Sequence, residues 1–170
     1  MTINFEFRKQ VMDYHISPDE IKYCYQCSRC RDRCPVSDVS MNFYGTEGYD
    51  PRSNILNAIL GYKGAIFDAD PLAIWGCTVC DTCDEVCPQG IELTEIFTFL
   101  KNESIKKGDG PDFIYTQAKM IFDNAKAIPM QSAIERRRQQ LGLPEIQAPS
   151  VDEVQTLIKN AGADKYLKEE

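Results

Sequence analysis

Histidine is nearly missing from this sequence. His15 is the only one in 170 residues, so a haem held by two histidines of this chain is excluded. A lone histidine in a weakly patterned segment reads as an ordinary surface or core residue. There is no G-x-G-x-x-G for a flavin or nicotinamide cofactor and no Walker loop for nucleotide phosphates. No apolar run approaches the roughly 18 to 20 residues that span a bilayer. The start, "MTINFEFRKQVMDYH", lacks a basic stretch followed by an apolar one, so no secretory signal is expected either. Bases are outnumbered: 19 Lys and Arg against 26 Asp and Glu give a formal net charge of −7, which argues against nucleic acid as a partner. Cysteine is absent outside two short stretches, so none is left over as a nucleophile, and no catalytic residue is assigned.

Those two stretches hold all eight cysteines. "CYQCSRCRDRCP", Cys24 to Pro35, recurs 53 residues later as "CTVCDTCDEVCP", Cys77 to Pro88. Each is C-x2-C-x2-C-x3-C-P, with Cys24, Cys27, Cys30 and Cys34 in one copy and Cys77, Cys80, Cys83 and Cys87 in the other. A reduced, cytoplasmic setting is expected, in which clustered thiols bind metal rather than form disulfides. Structural zinc ordinarily uses paired C-x2-4-C knuckles, and neither a third cysteine at this spacing nor a trailing C-P belongs to that pattern. The spacing is that of bacterial-type ferredoxins, in which three close thiolates wrap one [4Fe–4S] cubane and the fourth reaches the other cluster. By that rule Cys24, Cys27, Cys30 and Cys87 hold the first cluster. Cys77, Cys80, Cys83 and Cys34 hold the second. Two linked clusters read as an electron conduit, with a pair of structural staples as the alternative. Counting eight thiolates against two cores of +2, the loaded protein would carry about −11. Such a charge suits docking to a basic partner surface.

The remainder predicts helices. "SPDE" places Ser17 as N-cap, Pro18 at the first helical position and Glu20 at the capping-box position, just before Cys24. "MNFYGTEGYDP" reads as loop. "PRSNILNAILGYKGAIF" has helical spacing interrupted by Gly61 and Gly64, and Asp70 with Pro71 opens a short helix leading to Cys77. "LTEIFTFLKNESIKKG", "PDFIYTQAKMIFDNAKA", "SAIERRRQQLG" and "SVDEVQTLIKNAG" each read as helices, the last with Ser150 and Glu153 as a capping box. No alternating strand pattern is found, so the fold class is all-α.

"YCYQCSRCRDRCPVS", the helix beginning "DPRSNI" and "WGCTVCDTCDEVCPQGIELTEI" together resemble the C-subunit of heterodisulfide reductase from methanogenic archaea. The resemblance covers roughly residues 20 to 107. It implies an α-helical ferredoxin-like domain with two [4Fe–4S] clusters and a non-catalytic electron-relay role. It also implies two partners: a flavin-containing A-subunit, and a B-subunit that reduces the disulfide of coenzymes M and B. Hydrogenase or formate dehydrogenase would supply electrons indirectly. Similar two-cluster domains occur in glycolate, glycerol-3-phosphate and succinate dehydrogenases, often fused to a cysteine-rich catalytic domain. None follows here, which points to a separate subunit rather than a fused enzyme. The expected organisation is an amino-terminal arm over 1–16, the two-cluster domain over 17–107, and a helical extension for partner docking over 108–170. A freestanding ferredoxin-like carrier is the reading this extension disfavours.

The two motifs differ in charge. The first carries Arg29, Arg31 and Arg33 with Asp32; the second carries Asp81, Asp84 and Glu85 with no base. One net charge near a cluster, at an effective dielectric near 20, is worth about 2 kcal/mol for an added electron. On charge alone the first cluster takes the higher potential and the exit side; the alternative is that these residues only decorate docking surfaces. Arg136, Arg137 and Arg138 form the one basic run and read as a solvated helix face.

Overall fold

The computed structural model describes residues 2–14, 20–44, 48–128, 131–147 and 149–167. His15, Ser17 and Pro18, singled out above, and residues 45–47 of the stretch read as loop lie outside the described residues. Among those described there are helices and no strands, so the fold is all-α. The chain divides into two compact units, Met1–Ser104 and Ile105–Glu170.

In the first unit α1 (Phe5–Tyr14) starts where Asn4 Oδ1 accepts from Phe7 N at 2.8 Å. Phe7 and Val11 face inward, 1% exposed each, and Phe7 meets Phe67 edge-on at 5.7 Å. Phe7 and Val11 thus belong to the core. A 3-10 helix (Glu20–Tyr23) leads into the first motif, whose interior is one helical turn, α2 (Arg29–Asp32). Then comes α3 (Pro35–Tyr44), which takes in "MNFY", read from the sequence as loop. Val36 and Met41 of this helix are only half-buried and Val39 is exposed, while Ser37 and Ser40 are buried, so its apolar spacing does not mark the inward face. Ser40 Oγ accepts from Tyr49 N at 2.8 Å, tying the end of the following connection back to α3.

Asp50 caps α4 (Pro51–Leu60), its Oδ1 accepting from Arg52 N at 3.0 Å and Ser53 N at 3.2 Å, with Pro51 at the first helical position. Gly61 closes α4 in the left-handed region at φ 78°, and a Cβ there would stand 2.7 Å from Asn4 O. Both the turn and the close approach of α1 require glycine. The short α5 (Lys63–Phe67) and α6 (Leu72–Trp75) lead to the second motif and its own single turn, α7 (Thr82–Glu85). α8 (Leu93–Lys107) buries Ile96, Phe97 and Leu100 in the core on which Cys24, Cys30, Cys77 and Cys87 pack.

In the second unit α9 (Asp112–Asn124) packs on α11 (Val151–Asn160), with Gln155 Nε2 donating to Phe122 O at 3.1 Å. Ser150 Oγ accepts from Glu153 N at 3.4 Å, the cap read from the sequence. Between them α10 (Ser132–Gln140) carries Arg136 and Arg137 exposed and Arg138 half-buried, its guanidinium donating to Pro144 O. Among the described residues no helix is long and apolar enough to cross a membrane.

Candidate cluster-binding site

The duplication seen in the cysteines extends to the backbone. Gln26 and Ser28 have φ of 59° and 70°; Val79 and Asp81, 53 residues on, have φ of 52° and 59°. None is glycine, and left-handed backbone costs such residues of order 1–2 kcal/mol each. A strained pattern repeated at equivalent positions marks a functional loop rather than a chance distortion. Alternating right- and left-handed residues turn successive N–H groups toward a common centre, a concavity that suits an anion. Val79 N donates to Cys77 Sγ at 3.4 Å in this way. The third turn of each loop also matches: Arg31 N bonds Ser28 O at 3.0 Å and Cys34 N bonds Arg31 O at 3.2 Å. Asp84 N to Asp81 O and Cys87 N to Asp84 O repeat the pair at 3.0 and 3.1 Å.

The two loops face each other through α2 and α7, which pack together. A pocket is lined by Cys24, Cys27 and Cys30 and also by Cys87 of the other motif. Ile55, Ile91 and Leu93 give it an apolar back wall. On the other side, Cys34 lies within electrostatic reach of Cys77 and Cys80. Cys30 and Cys83, equivalent positions of the two loops, feel each other across the middle. Each motif therefore sends its last cysteine toward its neighbour. Cys27 and Cys80, also equivalent, are the exposed thiols.

Burial decides the protonation of the inner thiols. It pushes Cys30 up to about 11, with the neighbouring Cys24 and Cys27 adding to the rise. It raises Cys34 and, together with the adjacent Asp84, raises Cys83. Exposed Cys80 shifts the other way, because the hydroxyl and N–H of Thr82 stabilise its thiolate. Inner thiols that stay protonated on their own need a cationic core to become ligands.

The residues present fit such a core. Among the described residues, no three Cys, His, Asp or Glu side chains converge as the ligands of a single ion do. The four thiols of the pocket instead line a wider cradle. Three buried side-chain atoms have no hydrogen-bond partner among the described residues, Gln26 Oε1, Tyr49 Oη and Arg52 Nε, and all three belong to residues bordering the cysteines. The donor set is soft thiolate, as an iron–sulfur cluster requires.

Several residues that shape the site carry no sequence signal. Asp84, read above as a charge on the second motif, accepts from Thr94 N at 3.1 Å and from the Thr94 hydroxyl, so it also caps α8. Lys101 on α8 donates to the carbonyl of Cys77 and lies over the Trp75 ring, 5.6 Å from its centroid. The second motif thus has a base after all, supplied from another helix. Arg31 pairs with Asp50 at 3.8 Å, and Arg29 and Arg33 share a groove with Glu85. The contrast between a basic and an acidic loop is smaller in the fold than in the sequence.

The all-helical fold and the duplicated cysteine motif define a protein of the all-α, ferredoxin-like class that binds 4Fe–4S clusters. Residues 20–91 match the 4Fe-4S dicluster domain family. The chain is 32% identical to the iron–sulfur C2-subunit of the CoB–CoM heterodisulfide reductase of Methanocaldococcus jannaschii, over 86% of this chain and 77% of that one. It is 31% identical to the C2-subunit of the H2/formate:CoB–CoM heterodisulfide, ferredoxin reductase of Methanococcus maripaludis, over 86% and 78%. A shorter match, 31% identical over 54% of this chain and 26% of the relative, is to the D-subunit of the dihydromethanophenazine:CoB–CoM heterodisulfide reductase of Methanosarcina barkeri. The chain belongs to the family of heterodisulfide reductase iron–sulfur C-subunits.

Proposed function

We propose that this protein is the electron-relay subunit of a heterodisulfide reductase complex, with no catalytic residue of its own. It would carry two [4Fe–4S] clusters between the flavin-containing A-subunit of such a complex and the B-subunit that reduces the disulfide of coenzymes M and B. When bound, the clusters supply one-electron carriers. Cys24, Cys27, Cys30 and Cys87 hold one of them; Cys77, Cys80, Cys83 and Cys34 hold the other. The observation that carries this reading is Cys87 in the pocket of the first motif's cysteines.

The chain's residues then divide the work by position. The left-handed residues curl the two loops, with Val79 N–H aimed at Cys77 Sγ, and Ile55, Ile91 and Leu93 keep water from the back of the first pocket. Cys27 and Cys80 mark the solvent-facing edges where partners would exchange electrons. The contact between α2 and α7 supports a short path between the clusters the two loops would hold. Residues 108–170 serve partner docking, and the setting is cytoplasmic. The relatives' names, which specify components of heterodisulfide reductases, support the choice of complex.

The test is anaerobic purification from the native source. The reading expects about eight irons per chain, with flavin-containing and disulfide-reducing partners recovered alongside it. Partners from an unrelated dehydrogenase would replace the substrate assignment. Recovery of a free monomer alone would replace the reading as part of a complex.

A further inference from the structure

Two of the three unpartnered buried atoms come from one short segment, Tyr49-Asp50-Pro51-Arg52, and they serve opposite cradles. Arg52 lines the pocket of Cys24, Cys27, Cys30 and Cys87, where its Nε–H finds no acceptor among the described residues. Tyr49 is 2% exposed, and its hydroxyl lies beside the Cys77 thiol, short of a regular hydrogen bond to it, with Cys34 and Cys83 also in its field. The ring is locked. Its backbone N–H is held by Ser40, and Phe97 lies against it at 6.2 Å. Gly76, the residue before Cys77, allows this approach: a Cβ there would come within 2.7 Å of Tyr49 Cδ2.

Packing does not account for that hydroxyl. Phenylalanine would fill the same space without a desolvated donor, whose burial without a partner costs about 1–3 kcal/mol. Nor does packing need the Nε–H of Arg52. Both are hydrogen-bond donors, and both face thiols that become anionic on binding an iron–sulfur core. Donors to cluster sulfurs stabilise the reduced, more negative state and raise the potential. Between the two, Asp50 caps α4 and takes Arg31, which fixes the segment in place.

We infer that this segment is a tuning element, with Tyr49 donating to the cluster of the second motif and Arg52 to that of the first, so that each raises one potential separately. The inference rests on the two-cluster reading above.

The experiment is a redox titration followed by EPR on the full, cluster-loaded chain, with the two signals told apart by Cys27→Ser and Cys80→Ser tags. Tyr49→Phe is expected to lower the reduction equilibrium of the second cluster about tenfold, as expected for losing one hydrogen bond to a charged group. For one electron that is about 59 mV. The first cluster stays unmoved. Arg52→Gln is expected to do the converse. Site-specific 3-fluorotyrosine at position 49, a stronger donor of nearly the same shape, moves the second cluster upward, and this arm decides the question if Tyr49→Phe loses iron. Unchanged potentials at full iron content, or both clusters moving together in either variant, overturn the inference while leaving the relay intact. About four irons or fewer in the unsubstituted protein overturn the two-cluster reading and this inference with it.

Discussion

At the residue scale, what was legible is what chemistry constrains to a type. Only cysteine supplies the thiolate, so the eight candidate ligands and their expected pairing across motifs could be read from spacing. Backbone conformation at Gln26, Ser28, Val79 and Asp81 could not, because left-handed positions usually announce themselves as glycine or asparagine and these do not. Tyr49 and Lys101 were equally silent, since their roles depend on contacts 28 and 24 residues away in sequence from Cys77. Gly76 gives a direct check on the crowding there. Gly76→Ala places a Cβ 2.6 Å from Leu72 O and 2.7 Å from the Tyr49 ring. It is expected to destabilise the loaded protein by about 1–3 kcal/mol, read as a lowered midpoint in anaerobic urea unfolding. A midpoint equal to that of the parent would show that the Tyr49 ring has room to move away.

At the scale of elements, strong punctuation was legible and weak periodicity was not. Ser150 capped its helix as read, while Gly61, read as an interruption within one helical stretch, ends α4 outright at a positive φ and Asp50 caps its start. α3 escaped because buried Ser37 and Ser40 replace the apolar stripe that marks a helix. The cap of α8 escaped because its acceptor, Asp84, lies ten residues upstream in the second motif. Asp84→Ala is expected to cost about 1–2 kcal/mol as a lost cap. It should also speed hydrogen exchange at the amides of α8's first turn, including Thr94. Exchange unchanged there would mean another group caps the helix. Ser150→Ala is expected to cost about 1 kcal/mol, with faster exchange at Glu153 as its signature and no change in iron content.

At the scale of the whole molecule, all eight cysteines fall in the unit Met1–Ser104. The all-α class was legible because no segment alternates. The net charge was legible too, but its local balance was not: Asp50 and Lys101 reach the loops from elsewhere in the fold, and Glu85 of the second motif shares a groove with Arg29 and Arg33 of the first. In the second unit, Arg136→Glu with Arg137→Glu alters exposed side chains only. Stability should stay within about 0.5 kcal/mol, with iron content unchanged, and a loss of iron would contradict the placement of the cluster site in the first unit. The central claim is that the motifs exchange their fourth thiolate. EPR of the Cys87→Ser protein, compared with Cys34→Ser, tests it most directly. The account predicts that the Cys87 change perturbs the signal tagged by Cys27→Ser and spares the one tagged by Cys80→Ser, with Cys34 doing the reverse. Perturbation confined to the cluster of each cysteine's own motif would contradict it.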